Sequence, residues 1–234
     1  MRAHTRKIVT LTCAVAALVV SSAALAVTGG TPVSTPFVGA AVQMQVQGGT
    51  PGFELCSGFL ISPTSFVTAA HCFDPTGAPI HITFGSNADP GAPLTASVSA
   101  TLDDIAVLTL SQPVVLDRYA VLPALGLSTS VSSVDIVGYG VQGFTPKKIP
   151  IAFGFKTGVT TPVKSAGNLS DIYLKLLASP GACFGDSGGP SFVSGSNTVV
   201  AITSGGLKSC QGISYAERID TPATLAFLTP FATS

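Results

Sequence analysis

The sequence predicts an all-β protein made of two strand-rich halves, with one short helix at the C-terminal end. Gly (25 residues) and Pro (17 residues) are spread along the 234-residue chain, as in proteins with many short strands joined by turns. Apolar residues make up 46% of the sequence and charged residues 9%, so the chain can bury a large core. The one segment that favours a helix is short and lies at 222–231.

Short apolar or alternating runs predict the strands of both halves. The first half has such runs at 40–47, 58–61, 66–68, 82–84 and 105–108. The second half has them at 134–137, 151–153, 173–176 and 198–203. The stretch 113–133 connects the two sets, so we divide the chain into an N-terminal half, 27–120, and a C-terminal half, 121–234.

Residues 1–26 have the composition of a secretory signal peptide. Three basic residues precede an apolar run over 8–20, and Ala24-Leu25-Ala26 supplies the small residues that signal peptidase requires. A membrane anchor would need a longer apolar run, and a lipid anchor at Cys13 would need a small residue before the cysteine. We therefore expect a secreted, extracellular protein with no stable membrane anchor after cleavage.

Removal of this segment changes the charge and the cysteine count. It leaves 8 basic and 11 acidic residues, a formal charge of −3, and no basic stripe that would suggest nucleic acid as a partner. Cys13 is lost as well, and the four remaining cysteines fit two disulfides in an oxidising compartment. No C-x-x-C pair points to zinc, and no cofactor or metal is expected. Calcium stays open, because the loop 86–93 contains a single acid, Asp89.

Three stretches contain the residues with candidate chemistry. They are Cys56-Ser57-Gly58 leading to Thr68-Ala69-Ala70-His71-Cys72, Asp103-Asp104 before an apolar run, and Cys183-Phe184-Gly185-Asp186-Ser187-Gly188-Gly189-Pro190. A serine hydroxyl is a weak nucleophile until a base such as histidine takes its proton. The imidazole needs a carboxylate to fix its tautomer and stabilise its cation. Backbone N–H groups at a developing oxyanion contribute roughly 3–4 kcal/mol each, and glycines let the backbone present them.

These stretches resemble the chymotrypsin/trypsin-like serine peptidases. The resemblance extends from about Val27 to the C-terminal segment and is strongest at 68–72 and 185–190. The chain order His, Asp, Ser also matches, and Gly138-Tyr139-Gly140 is similar to the family's Gly-Trp-Gly turn. The resemblance implies two six-stranded antiparallel β-barrels packed together and a short C-terminal helix. It also implies a monomeric serine endopeptidase that acts on protein or peptide substrates.

By this resemblance, His71 is the general base, Asp104 orients it and Ser187 is the nucleophile. The N–H groups of Gly185 and Ser187 form the oxyanion hole. Asp103 is the competing acid, but the family's aspartate directly precedes its buried strand. That position favours Asp104 and leaves Asp103 in a solvated turn.

The cysteines match family pairs as well. Cys56 and Cys72, which are 16 positions apart, match the disulfide that closes the histidine loop. In the loop-entropy model such a link contributes about 3 kcal/mol. Cys183 and Cys210 match the pair that braces the specificity pocket beside the nucleophile.

The resemblance also predicts the substrate-binding residues. The family's pocket base lies six residues before the nucleophile, and here that residue is Gly181. An acid there would select Arg or Lys, so we expect an uncharged P1 side chain. Ser204 and Gly206 match a strand that pairs with the substrate backbone, and Phe184 is a further expected contact. Gly205 stands where an aromatic residue is usual.

An activation step follows from the residues Val27-Thr28-Gly29-Gly30, which resemble the family's mature start. In the family the freed α-amino group pairs with the aspartate before the nucleophile, here Asp186. Because the signal-cleavage site abuts Val27, we expect signal cleavage itself to release the active enzyme.

Two other functions fit parts of the sequence. A catalytically silent relative would usually lack one of His71, Asp104 and Ser187, and this chain has all three. An α/β-hydrolase esterase would share the Gly-x-Ser-x-Gly string, but its histidine comes last and helices separate its strands. Neither property is present in this sequence.

Overall fold

The computed structural model describes residues 27–47, 50–74, 77–147, 149–151, 153–164, 171–177 and 179–233. The signal peptide predicted at 1–26 therefore lies outside the described residues. The strands are β1 (Thr31–Pro32), β2 (Val38–Gln47), β3 (Thr50–Leu60), β4 (Ser65–Ala69), β5 (Ile80–Thr83), β6 (Thr95–Leu102), β7 (Ile105–Leu110), β8 (Ser133–Gly138), β9 (Gly143–Phe144), β10 (Pro150–Ile151), β11 (Thr157–Lys164), β12 (Tyr173–Leu177), β13 (Pro190–Val193), β14 (Val199–Gly206) and β15 (Ile213–Arg218). The chain continues into α1 (Pro222–Ala232).

Two closed, six-stranded antiparallel barrels form the molecule, as the sequence predicts. The first has the order β2-β3-β4-β7-β6-β5 and closes where β5 pairs with β2. The second has the order β8-β11-β12-β15-β14-β13 and closes where β13 pairs with β8. The short β1 adds to β11 at the edge of the second barrel. Closure pairs the strand edges, which removes sites for unwanted pairing with other chains.

The core of the first barrel extends into the contact between the two barrels. Phe59, Phe66 and Leu108 are fully buried inside the first barrel, and the same apolar cluster includes Tyr139 and Ile202 of the second. Each such side chain contributes about 1.5–3 kcal/mol by leaving water. A continuous core of this kind holds the barrels in a fixed relative position.

A buried lysine also links the barrels. The Lys156 ammonium donates hydrogen bonds to the carbonyl oxygens of Thr35, at 3.0 Å, and Phe84, at 2.7 Å. It lies 5.6 Å from the centre of the Tyr139 ring, an arrangement that stabilises a cation. Burial lowers the pKa of Lys156 to about 8.

The C-terminal helix α1 is confirmed, one residue longer than predicted. Thr221 caps it by accepting from the Thr224 N–H, and Pro222 occupies the first turn, where no N–H is needed. Leu228 is fully buried and attaches α1 to the core. None of the described residues forms a helix long and apolar enough to cross a bilayer.

The strand predictions differ from the structure in some places. Of the run predicted at 151–153, Ile151 belongs to the two-residue β10 and Phe153 lies outside the strands. Four strands of the barrels, β6, β11, β13 and β15, were not predicted from the sequence. The remaining predicted runs lie wholly or mostly within observed strands.

Candidate active site

Two of the three candidate catalytic residues lie where strands of the first barrel end. His71 is in a 3-10 turn, Ala70–Cys72, directly after β4. Asp104 is in the tight turn from β6 to β7, where Asp103 adopts a φ of 50°, a conformation that aspartate tolerates better than most residues. The Ala70 N–H donates to the Asp104 carbonyl oxygen at 2.7 Å. The ends of these two strands are therefore tied together.

The side chains of Asp104, His71 and Ser187 form an unbroken hydrogen-bonded series. His71 Nδ1 lies 2.9 Å from both carboxylate oxygens of Asp104. His71 Nε2 lies 3.1 Å from Ser187 Oγ. The His71 backbone N–H also donates to Asp104 Oδ1, at 3.1 Å. The competing Asp103 is exposed, and the carboxylate at the imidazole is that of Asp104.

The charge distribution prepares His71 to accept a proton. The hydrogen bond with Asp104 raises the pKa of His71 and outweighs the lowering caused by burial. Burial acts to raise the pKa of Asp104, but hydrogen bonds from His71 and Ser204 outweigh it and the pKa is lowered. Asp104 therefore stays ionised while His71 becomes more basic.

Two residues that are distant in sequence also form hydrogen bonds with Asp104. The Ser204 hydroxyl donates to Asp104 Oδ2, a contact in addition to the backbone role predicted for Ser204. The Asp104 N–H donates to Glu217 Oε2, at 3.2 Å. Glu217 is 1% exposed, and burial raises its pKa to about 7. No motif in the sequence marked Glu217, because it lies 113 positions from Asp104.

The backbone around Ser187 leaves two N–H groups of cavity-lining residues without an acceptor in the part of the chain that the structure describes. The Phe184 carbonyl accepts from the Val141 N–H at 2.7 Å, and a trans peptide places the Gly185 N–H on the opposite side. The Asp186 carbonyl accepts from the Gly189 N–H at 2.9 Å, which turns the Ser187 N–H away in the same manner. Neither N–H has an acceptor among the described residues.

Ser57 links this loop to the first barrel, a role not predicted from the sequence. Its hydroxyl donates to the Gly185 carbonyl at 2.8 Å and accepts from the Tyr139 N–H at 2.9 Å. Its backbone N–H donates to the Ser187 carbonyl at 2.9 Å. Its place beside Cys56 in the sequence carried no signal of these contacts.

A cavity of about 520 Å³ surrounds His71 and Ser187. Of the predicted substrate-binding residues, Phe184, Ser204 and Gly206 line it. Gly181 is not among the described residues that line it. Its backbone instead pairs with Thr28 through two hydrogen bonds, of 2.9 and 3.0 Å.

The residues predicted for activation are both buried. Val27 is 0% exposed and packs against an apolar cluster of the second barrel that includes Ala182. Asp186 is 0% exposed, and its carboxylate accepts from the N–H groups of Gly140, at 2.8 Å, and Cys183, at 2.9 Å. In this uncut chain the Val27 nitrogen is part of a peptide bond and carries no charge. Burial raises the pKa of Asp186 to about 7.

The structure contains both expected disulfides, Cys56–Cys72 and Cys183–Cys210. The first joins β3 to the His71 turn, and the second joins the Ser187 loop to the segment after β14. Sulfurs of Cys56 and Cys72 lie close to His71 but are bonded to each other, so they cannot serve as thiolate ligands for a metal.

The model of the trypsin family matches residues 27–226. The chain belongs to the trypsin family. Its trypsin-family domain thus covers the segments that contain His71, Asp104 and Ser187. No curated protein matches the chain by sequence.

Solved structures share the fold of this trypsin-family chain at low sequence identity. HL collagenase superposes with a TM-score of 0.66 and 17% identity, over 88% of this chain and 99% of the collagenase. Human heparin-binding protein gives a TM-score of 0.63 and 20% identity, over 82% and 92% of the two chains. A double mutant of that protein gives 0.65 and 20%, over 87% and 96%. At these identities the likeness shows the two-barrel fold alone.

Proposed function

We propose that the chain is a secreted serine endopeptidase that uses Ser187, His71 and Asp104 as its catalytic triad. The observation that carries this proposal is the hydrogen-bonded series from Asp104 through His71 to Ser187. It lies at a cavity of about 520 Å³, within the range of small-molecule and side-chain sites. Membership in the trypsin family supports the same reaction class.

The proposed reaction proceeds through an acyl-enzyme. Ser187 Oγ attacks the substrate carbonyl carbon while its proton passes to His71 Nε2. The oxygen of the tetrahedral intermediate accepts from the Gly185 and Ser187 N–H groups. His71 then protonates the leaving amine, the C–N bond breaks, and water activated by His71 hydrolyses the ester. Asp104 stabilises the imidazolium in both steps.

The proposal includes a preference for an uncharged P1 side chain. Glu54 is the one residue with a carboxylate among the described residues that line the cavity. It belongs to β3 of the first barrel, whereas the expected pocket walls are formed by 182–187 and 203–210 of the second. A cationic P1 group would be buried there without a partner.

Secretion and activation are part of the proposal. Cleavage after Ala26 would free the Val27 amine to pair with the buried Asp186, and an ammonium–carboxylate pair compensates a charge that burial alone disfavours. The two backbone hydrogen bonds between Thr28 and Gly181 hold the residue after the new terminus against the segment that leads to Asp186, which supports this pairing. N-terminal sequencing of the active secreted protein tests the idea, and an active form that begins elsewhere contradicts it.

Other functions are less well supported. A silent relative is disfavoured because no triad position is replaced. A heparin-binding role, suggested only by the names of two matched structures, does not suit a mature chain with a formal charge of −3.

Alanine variants of Ser187 and His71 test the proposed triad. Each is expected to reduce kcat/KM on a peptide substrate by roughly 10⁴-fold or more, and the double variant by little more, because the residues act as a unit. Circular dichroism should show an unchanged fold. Substantial turnover by either single variant would refute the triad.

The P1 preference is tested with the wild-type protein. A substrate with Leu or Phe at P1 should be cleaved with a higher kcat/KM than its Arg counterpart.

A further inference from the structure

We propose that the leaving-group side of the cleft contains a subsite for a basic residue, provided by Glu54, next to an apolar subsite formed by Phe53 and Phe153. This inference rests on the proposed endopeptidase function and adds the class of substrate. A preferred substrate has a Lys or Arg and an apolar residue in the two positions after the scissile bond.

The location follows from the two walls of the cavity. The acyl half of a substrate lies along β14 and the 182–187 loop, where Ser204, Gly206 and the oxyanion N–H groups are found. Apart from His71, the lining residues from the first barrel come from β3, and they are Phe53, Glu54 and Leu55. After the carbonyl is fixed at Gly185 and Ser187, this is the side that remains for the leaving group.

Glu54 is a partly buried carboxylate that the catalytic series does not use. It has no hydrogen-bonding or ion-pairing partner for its side chain in the part of the chain that the structure describes. Burial raises the pKa of Glu54, and the nearby His71 lowers it. A partly desolvated acid without a partner gains most from a cation that a ligand brings to it.

Two exposed aromatic rings lie beside this acid. Phe53 is 49% exposed and Phe153 is 40% exposed, and their ring centres are 6.2 Å apart. Phe153 also approaches the oxyanion loop, since a Cβ added at Gly185 would lie 3.1 Å from its ring. Large apolar side chains left in water next to a cleft indicate a binding surface.

Strand geometry explains why the two subsites differ. Glu54 and Phe53 are consecutive on β3, so their side chains point to opposite faces of the strand. β3 pairs with β2 at these positions, and its pairing with β4 is confined to Phe59 and Leu60. An extended peptide beside the other edge of β3 presents consecutive side chains to opposite faces as well. One of them meets the carboxylate, and its neighbour meets the rings.

The test uses peptides that share one acyl half and differ only in the two residues after the scissile bond. Peptides with Lys-Leu and with Leu-Lys after the scissile bond are both tested. We expect the faster of the two to exceed its Gln-Leu or Leu-Gln counterpart by about fivefold in kcat/KM. Replacing the basic residue with Glu should reverse the effect. Equal rates for Lys, Gln and Glu would overturn the proposal.

Variants separate this subsite from general charge effects. Glu54→Gln should bring the Lys-to-Gln ratio close to one, and Phe53→Ser should reduce the preference for Leu over Ser in the neighbouring position. Asp117→Asn removes the same charge from an exposed site in the segment between the barrels and should leave the ratio unchanged. A ratio that survives in Glu54→Gln assigns the preference to another residue and refutes this assignment.

A substrate without residues after the scissile bond distinguishes the two proposals. A nitroanilide of the same acyl half reports only the acyl side and the triad. If wild-type protein hydrolyses it but shows no preference among the peptides, the subsite is wrong and the peptidase function stands. If no substrate is hydrolysed by protein that begins at Val27, the proposed function itself fails.

Discussion

Asp186 is a buried acid whose protonation we expect to depend on the residue at which the chain begins. In the uncut chain its partners are two backbone N–H groups, and burial raises its pKa to about 7 from an ordinary value of 3.8. A raised carboxyl pKa means that the folded state binds the proton more tightly than the unfolded state. The contribution of Asp186 to stability is thus full below about pH 4 and is lost as pH rises to about 7.

We therefore expect the uncut chain to become less stable on going from pH 5 to pH 8, on the order of a few kcal/mol in the free energy of unfolding. A Ser187→Ala background prevents self-cleavage during the thermal or urea unfolding measurement. Asp186→Asn should weaken this dependence. Glu217, whose pKa is also raised to about 7, adds a trend of the same sign, so the difference between the two proteins is the informative quantity.

Protein that begins at Val27 provides the second comparison. Its ammonium group favours ionised Asp186, so the loss of stability between pH 5 and pH 8 should be smaller than in the uncut chain. An identical pH dependence in the uncut and Val27-start proteins would contradict the proposed pairing.

At this scale the sequence predicted the residues in motifs and missed the residues that support them. His71, Asp104 and Ser187 were identified because their immediate neighbours in the chain form recognisable patterns. Ser57 and Glu217 contact the site only through folding, across 128 and 113 positions of sequence. Neither residue type marks a site by itself, since serine and glutamate occur in many surroundings.

Among the elements, the Ser187 loop is closely fitted against β4. Gly188 has a φ of +77°, and a Cβ there would lie 2.3 Å from Thr68 Oγ1 and 2.4 Å from the Ala69 nitrogen. Gly195 has nearly the same φ, +76°, but a Cβ there would have nothing within 4 Å. An alanine would therefore meet the same backbone strain at either position, and the two positions differ in the space available.

We expect Gly188→Ala to destabilise the fold by about 1–3 kcal/mol more than Gly195→Ala, because only the first forces overpacking. Urea unfolding of both variants in the Ser187→Ala background measures the difference. Equal losses would mean that the contact between the Ser187 loop and β4 is not close.

Strand prediction was most accurate where apolar runs were clear and less so where small or polar residues dominate. β6 reads Thr-Ala-Ser-Val-Ser-Ala-Thr-Leu, and its alternation of apolar and polar residues is weak because alanine and threonine occur on either face.

For β2 the sequence predicted the strand but not which of its faces is buried. Gln43 is buried and donates to the carbonyl oxygens of Asp74 and Ala78, whereas Met44 and Val46 are exposed. Hydrogen bonds to loop carbonyls thus outweigh the hydrophobic pattern there.

For the whole molecule, the geometry of the candidate triad depends on the two barrels staying in place. His71 and Asp104 come from the first barrel and Ser187 from the second, so their distances are set by the interface. The existence of two barrels could be inferred from the family resemblance. The buried Lys156 could not, because lysine is almost always at the surface and nothing in its local sequence signals burial.

We expect Lys156→Met to destabilise the protein by about 2–4 kcal/mol, because the carbonyl oxygens of Thr35 and Phe84 lose their donor. Lys164→Met is the matched control, since Lys164 is an exposed residue of β11, and it should change stability by less than about 0.5 kcal/mol. Thermal unfolding of both variants provides the test. Similar small effects would show that Lys156 does not join the barrels.

The tie between Thr28 and Gly181 has a practical consequence for anyone who produces this protein. Val27 is fully buried directly before that tie, and the proposed pairing with Asp186 needs its amine to be free, so an affinity tag or an added start methionine joined to Val27 would keep that nitrogen in an uncharged peptide bond. The last described residue, Thr233, is exposed at the end of α1. A purification handle therefore belongs at the C-terminus, and the N-terminus is best generated by a protease that leaves Val27 bare.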